Sequence, residues 1–372
     1  MFVCAGTAGH INPALAIASR IRELVPDTEI LFVGSGRPME KRLVPLAGFE
    51  LENIKVTGFS RGRSLASLKR NAVTAKNLLI SARQSKKLLE SFRPDAVIGT
   101  GGYVCYPVLN RAVAMGIPTA IHESNAVPGM AAMMLSDKID RVMAAFPGTE
   151  ENFKDPSRVT VTGTPVRGDF TTLNKEQARQ ILGVDERPLV VSFWGSLGAA
   201  LMNEYMSEFI ALNNRDRGFN HIHATGGGEA GYNRMMDMLK NAGVEELYSG
   251  IDIRPYIDNM GTVMTAADLI LCRAGASTMG EISMMGKPAV MVPSPNVTDN
   301  HQEKNARQLE KAGGARVLLE ADCSGKLLYE TASELVSDPK LLEEMAASSA
   351  KLGVPGATDK IVDIVLSLAG RI

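Results

Sequence analysis

The sequence predicts an α/β protein made of two similar doubly wound halves that face each other across a cleft. Three observations predict it. Short apolar runs alternate with longer helical patterns along most of the 372 residues, as in a parallel sheet with helices on both faces. One cassette of strand, glycine turn, helix and glycine-proline turn occurs in both halves. The length suits about two domains of ordinary size.

In the first half, residues 2–4, 29–33, 96–98, 119–121 and 142–144 read as strands, with helical patterns such as 13–24 and 78–92 between them. A second series follows at 189–193, 222–224, 268–272 and 289–292. The run Asp95-Ala-Val-Ile-Gly-Thr-Gly-Gly102 matches Asp268-Leu-Ile-Leu-Cys-Arg-Ala-Gly275. Each precedes a helix and then Met-Gly-x-Pro, at Met115 and Met285. Glycine loops, Gly6-Thr-Ala-Gly9 and Gly195-Ser-Leu-Gly198, open each half after a strand. Two copies imply two Rossmann-like domains. The break is expected near Gly163-Thr-Pro165, giving domains 1–163 and 164–355. The last helical pattern, within 356–372, is expected to pack back on the first domain.

Composition narrows the function. A net charge of −1 argues against an extended nucleic-acid footprint, which needs a large basic excess. Cys4, Cys105, Cys272 and Cys323 form no CxxC pair and no zinc-site spacing, so they read as reduced core thiols. No run reaches the roughly 18 apolar residues of a membrane span, and the N-terminus does not read as a signal peptide.

Both glycine loops leave a strand and enter a helix. They therefore offer backbone N–H groups at a positive helix end, suited to a phosphate or a developing anion. Residues 273–281, Arg-Ala-Gly-Ala-Ser-Thr-Met-Gly-Glu, place small residues and then a carboxylate at a helix start. Glu281 can accept two hydrogen bonds from a vicinal diol, or simply favour the helix dipole. The cluster Thr298-Asp-Asn-His-Gln-Glu-Lys-Asn305 offers Gln302, an amide able to bind sugar hydroxyls, or else a solvated loop with a capped helix. His10 ends the first glycine loop and suits a general base near neutral pH, although a lone histidine is more often structural. Loops at Gly6–His10, Gly99–Tyr103 and His122–Asn125 should converge on one rim of the first sheet.

At this point the motifs resemble a known family, the MurG peptidoglycan N-acetylglucosaminyltransferases of glycosyltransferase family 28. The resemblance spans essentially the whole chain. Its motifs are Gly6-Thr-Ala-Gly-His-Ile-Asn-Pro13, Gly101-Gly-Tyr103, His122-Glu-Ser-Asn-Ala-Val-Pro-Gly129, Thr162-Gly-Thr-Pro-Val-Arg167, Gly195-Ser-Leu-Gly-Ala199, 273–281 and Asn300-His-Gln-Glu-Lys-Asn-Ala306. It implies the glycosyltransferase-B fold, with donor bound mainly by the second half and acceptor by the first. It implies transfer of N-acetylglucosamine from UDP-N-acetylglucosamine to the muramic-acid 4-hydroxyl of lipid I, giving lipid II with inversion.

The resemblance assigns His10 as base, with Glu123 as its polar partner. Ser196 would meet the diphosphate, Arg167 and the backbone at Ile257 the uridine, and Glu281 the ribose. Ala276, Ser277, Thr278, Met279 and Gly280 complete that donor-side run. Asn125, Gln302 and the loop Thr7, Ala8 and Gly9 would surround the transferred sugar. Ala5, Ala8 and Trp194 stand where the family commonly has glycine; Thr164 and Ser124 stand where Asn and Gln are common. With no Asp-x-Asp motif, the chemistry is expected to need no metal and no cofactor, the diphosphate being held by helix N-termini and loop amides. Rivals are a related lipid glycosyltransferase acting on diacylglycerol, a UDP-sugar 2-epimerase, or a catalytically silent sugar-nucleotide-binding subunit.

Residues 53–89 carry nine basic side chains and no Asp or Glu. Lys69, Arg70, Lys76 and Arg83 among them are expected to meet an anionic membrane surface, placing the protein peripherally on the cytoplasmic face. The alternative is a solvated helix face whose leucines lie in the core.

Overall fold

The computed structural model describes residues 1–57, 65–166, 173–297 and 300–371, with 65–73, 75 and 76 as helix backbone only. The chain divides into two units, Met1–Val166 with Val354–Ile372, and Arg167–Gly353.

The first unit runs β1 (Phe2–Cys4), α1 (Ala8–Leu24), β2 (Leu31–Gly34), α2 (Pro38–Leu46), β3 (Glu50–Asn53), α3 (Leu65–Phe92), β4 (Val97–Gly101), α4 (Cys105–Ala114), β5 (Thr119–Glu123), α5 (Met130–Leu135), β6 (Arg141–Ala144) and β7 (Val159–Val161). Its parallel sheet has the order β3-β2-β1-β4-β5-β6-β7. The second unit runs α6 (Lys175–Leu182), β8 (Leu189–Phe193), α7 (Ala200–Asp216), β9 (Asn220–Ala224), α8 (Gly228–Asn241), β10 (Ile251–Arg254), α9 (Met260–Ala266), β11 (Leu269–Cys272), α10 (Ala276–Met285), β12 (Ala289–Met291), α11 (His301–Lys311), β13 (Ala315–Val317), α12 (Gly325–Val336) and α13 (Pro339–Ala350). Its sheet, also parallel, has the order β10-β9-β8-β11-β12-β13.

Both orders reverse at equivalent places, between β1 and β4 and between β8 and β11. Loops leaving such paired strands diverge and open a crevice at their carboxyl ends, where doubly wound sheets bind ligands. The repeated sequence cassettes occupy equivalent strands in the two units. The sequence reading omits β3, β7, β10 and β13, which are the four edge strands. Edges stay half-solvated and carry charge against mispairing, as in Glu50-Leu-Glu-Asn53 and Ile251-Asp-Ile-Arg254.

One face of the first sheet packs Phe2, Cys4 and Phe32 against Ile11, Leu15 and Ile17 of α1. The final helix, α14 (Ala357–Leu368), inserts Ile361, Val362, Val365 and Leu366 into the same cluster. A clasp closes where the chain leaves and re-enters: the Val166 N–H donates to Thr358 Oγ1 at 3.1 Å, and that hydroxyl donates to the Val166 carbonyl at 2.9 Å. All four cysteines are buried and unbridged.

Helix α3 is amphipathic in an unusual way: much of its buried face is small and polar. Thr74, Asn77, Ser81, Ser85 and Leu89 are buried along it, whereas Leu79 is 68% exposed. Small polar residues let the backbone approach closely, and Asn77 and Thr74 both bond to Thr57. Leu79, Arg83 and Lys86 share one exposed face by helical spacing. The side chains of Lys69, Arg70 and Lys76 lie outside the described residues, as do Arg61 and Arg63.

The second unit buries a polar cluster. Ser192 Oγ of β8 lies 2.8 Å from His221 Nε2 and 2.7 Å from His223 Nδ1 on β9. Burial pushes His223 down to about 3; burial, then the neighbouring His223, pushes His221 well below its ordinary value.

Candidate active site

In the first unit, the loops after β1 and β4 meet at the switch point. His10, on the first turn of α1, donates from Nδ1 to the Ala5 carbonyl at 2.8 Å. That assignment leaves Nε2 as the basic nitrogen of the neutral ring. The Thr100 hydroxyl donates to the His10 carbonyl at 2.7 Å, and Ala5 N–H donates to Gly101 O at 3.2 Å. Two glycines make the fit possible. A Cβ on Gly101 would lie 2.5 Å from His10 Cδ2, and one on Gly102 would lie 2.5 Å from Ala5 O. Gly101-Gly102 thus serves to seat the histidine. Thr7 is the N-cap of α1, and no acidic residue occupies the first turn, so the amides of Ala8 and Gly9 face the loop side unopposed.

Glu123 ends β5 and is buried. Its carboxylate accepts from Asn125 N–H (2.9 Å), Asn125 Nδ2 (2.9 Å) and Gly129 N–H (2.8 Å). These bonds all lie in its own loop. The structure therefore gives Glu123 the work of shaping residues 123–129 and positioning Asn125, while the described bond of His10 goes to Ala5. His122 is also structural: Nε2–H donates to Gly163 O at 2.9 Å and Nδ1 accepts from Ser124 at 3.2 Å. Burial pushes it down to about 4.

In the second unit, the loop after β8 is clamped backbone on backbone. Gly198 N–H donates to Gly195 O at 2.9 Å, and Gly227 N–H to Ser196 O at 3.2 Å. A Cβ on Gly198 would lie 2.4 Å from Thr225 O, and one on Gly226 would lie 2.2 Å from Gly198 N. The sequence reading missed this partner, Gly226-Gly-Gly228, although three consecutive glycines after a strand were visible. Ser196 is half-buried at the turn.

Helix α10 starts behind Gly275 with no side-chain cap and no acid in its first turn. The amides of Ala276, Ser277 and Thr278 have no intrahelical acceptor, and the buried Ser277 hydroxyl has no hydrogen-bond partner among the described residues. Met279 is the inward-facing member of this run. Its side chain is fully buried and its N–H donates to Gly275 O at 2.9 Å. Gly280 is buried beside it. Glu281 stands on the second turn, half-buried. That is too far along for a dipole role, which fades within the first turn.

Gln302 Oε1 accepts from Ser294 N–H at 2.9 Å, and buried Asn305 donates to Ala274 O at 3.3 Å. Both fasten α11 to the loops after β12 and β11. Ile257 is buried, following β10. Arg167, Thr298 and Asp299 lie outside the described residues. Among the described residues, no cluster of three or more His, Cys, Asp or Glu could hold a metal ion.

Comparison with known proteins matches residues 1–144 to the glycosyltransferase family 28 N-terminal domain and 189–361 to the glycosyltransferase family 28 C-terminal domain. The chain belongs to glycosyltransferase family 28. A relative from Acetivibrio thermocellus is 45% identical over 361 residues, covering 97% of this chain and 95% of its own. Another, from Caldanaerobacter subterraneus subsp. tengcongensis, is 42% identical over 99% of both chains. Each is named UDP-N-acetylglucosamine--N-acetylmuramyl-(pentapeptide) pyrophosphoryl-undecaprenol N-acetylglucosamine transferase. Among solved structures, MurG of Acinetobacter baumannii superposes with a TM-score of 0.76 at 28% identity, over 99% of each chain. The two parallel-sheet domains are those of the glycosyltransferase-B fold.

The residues expected from the resemblance to replace glycine cause no strain. Among the described residues, the positive-φ non-glycines are Arg93, Arg217 and Asn300, so Ala5, Ala8 and Trp194 adopt ordinary backbone. Trp194 is buried in the core of the second unit, with the Arg273 guanidinium 5.9 Å from its ring centre. Arg273 in turn donates to Val292 O at 3.0 Å and pairs with Glu320. The indole therefore braces the strand ends beneath the Gly195–Gly198 loop.

The second residue that the sequence reading missed is Glu40 of α2. It is fully buried and bonds to the Gly6 loop. Its signal was a second strand–glycine loop–helix cassette, Gly34-Ser-Gly36 followed by a glutamate at the third helical position.

Proposed function

We propose that this chain transfers N-acetylglucosamine from UDP-N-acetylglucosamine to the muramic-acid 4-hydroxyl of lipid I, yielding lipid II with inversion at the anomeric carbon. The observation that carries the reading is His10, seated at the switch point with Nδ1–H committed and Nε2 basic. Full-length kinship to transferases of that name supports it.

His10 Nε2 takes the proton from the acceptor hydroxyl as its oxygen bonds to the anomeric carbon. The bond from that carbon to the diphosphate breaks, and its electron pair leaves with UDP. First-turn amides of α10, the Ser277 hydroxyl and the Ser196 loop suit the charge that develops on the diphosphate. Glu281 suits the ribose diol, and the backbone at Ile257 and Arg167 are assigned to the uridine. Gln302, whose Oε1 accepts from Ser294 N–H, and Asn125, whose Nδ2 donates to the Glu123 carboxylate, are assigned to the transferred sugar.

The enzyme is further proposed to work as a peripheral protein on the anionic cytoplasmic face of the membrane. What supports this is the face of α3 that carries exposed Leu79 beside Arg83 and Lys86. No described helix is long and apolar enough to cross a membrane.

Acceptor assays test the reading. UDP-N-acetylglucosamine with lipid I should give lipid II and UDP. Turnover with diacylglycerol instead, or epimerisation of the donor without an acceptor, would replace it.

A further inference from the structure

The carboxylate of Glu40 is wholly inaccessible and accepts five hydrogen bonds. Oε1 receives Gly6 N–H at 2.9 Å and Ser35 Oγ–H at 2.8 Å. Oε2 receives the N–H groups of Ser35 (2.7 Å), Gly36 (2.8 Å) and Arg37 (3.1 Å). Accepting at every contact is the behaviour of an ionised carboxylate. The fold makes room for it: a Cβ on Gly34 would lie 2.7 Å from Oε2.

Four of these bonds close the β2–α2 loop and cap α2, the ordinary work of a glutamate at the third helical position. The fifth does something else. It reaches across to the β1–α1 loop and holds the peptide group joining Ala5 to Gly6. The other end of that same peptide, the Ala5 carbonyl, accepts from His10 Nδ1. Carboxylate, peptide and imidazole therefore stand in one hydrogen-bonded line.

We propose that Glu40 is a positioning residue for His10, acting through the Ala5–Gly6 peptide as the distant carboxylate of the base. This rests on His10 being the base. An anion accepting the peptide N–H polarises the group toward its carbonyl oxygen, which strengthens the bond from Nδ1–H. The ring is held in the tautomer with Nε2 basic, and its cationic form is stabilised as the proton arrives. Among the charges around this line, Arg37 opposes Glu40: its Nη1 is 3.6 Å from where a Gly6 Cβ would stand. The Cys4 thiol lies within reach of Glu40, and Cys105, behind it, neighbours Glu123. Cys4 is pushed up by burial first, then by Cys105, then by Glu40, whose field thus reaches β1.

The test combines ring titration with a double-mutant cycle. Nitrogen NMR of His10 is recorded in the native protein and in Glu40→Gln, and kcat is measured for both, alone and in the His10→Ala background. Glu40→Gln should move the His10 midpoint to lower pH and reduce kcat about 10²-fold, as for a misplaced base. It should reduce the His10→Ala rate little further. An unmoved midpoint, or an equal loss in both backgrounds, would overturn the proposal. Native-like turnover of His10→Ala alone would instead remove the base assignment, while the ring titration would still report the coupling. Should Glu40→Gln not fold, the native protein supplies the reading: the Gly6 amide proton should shift with the His10 midpoint, and a stationary Gly6 signal would overturn the coupling.

Discussion

The imidazole of His10 lies against Gly101 so closely that a Cβ at position 101 would stand 2.5 Å from Cδ2 and 2.9 Å from Nε2. Gly101 also has φ +123°, which other residues rarely adopt. Gly101→Ala must displace the ring or the loop. We predict a fall in kcat of about 10²-fold, the effect of a misplacement near 1 Å, with UDP affinity by calorimetry unchanged. Native turnover would show that the ring tolerates movement.

Removing the ring itself should be more severe. His10→Ala is predicted to lower kcat by about 10²–10⁴-fold, the usual contribution of a general base, again sparing UDP binding. Near-normal turnover at neutral pH would eliminate His10 as the base.

On the donor side, Glu281→Ala should raise the KM for UDP-N-acetylglucosamine and weaken UDP binding. Its place on the second turn of α10 leaves no dipole role to confuse the result. A folded variant with native UDP affinity refutes a ribose contact.

Acid should destabilise the protein through its buried histidines. His122 and His223 are held near 4 and 3 instead of 6.5, with burial the main cause. The unfolded chain therefore binds more protons below pH 6.5, and stability falls as pH drops from there toward 4 and then 3. Each group contributes up to about 1.4 kcal/mol per pH unit within its window. Denaturant midpoints measured from pH 7 to 4 should fall, and His122→Gln should flatten the slope. A pH-independent midpoint contradicts this.

Membrane association should require anionic lipid and weaken with salt, because basic side chains near such a surface contribute about 1 kcal/mol each before screening. Changing Lys69, Arg70, Lys76 and Arg83 to glutamate should reduce liposome co-sedimentation. Equal binding to neutral vesicles would remove this surface from the account while leaving the transferase reading in place.

The inner strands were legible because strands covered on both faces are almost uninterrupted apolar runs, as in Leu189-Val-Val-Ser-Phe193. The edge strands were not, because Glu50 and Glu52 on β3 break the pattern the search relied on. Glycine loops were legible at β1, β4, β8 and β11 through their repetition. Glu40 was not, since a glutamate in a helix's first turn is ordinarily solvated, and only the fold brings Gly6 to it. Met279 shows the converse: a motif groups neighbours in sequence, but the helix turns one of them into the core.

The closing of α14 over α1 bears on the order in which the protein can be made. The second unit, Arg167–Gly353, is one uninterrupted stretch, complete on the ribosome while the first still lacks Ile361, Val362, Val365 and Leu366 from its core. The half translated first is thus the half finished last. Until those residues emerge, the apolar side of α1 stays open to solvent and chaperones, and a chain stopped after residue 353 would spare the second unit's core while leaving the first unit's core unsealed.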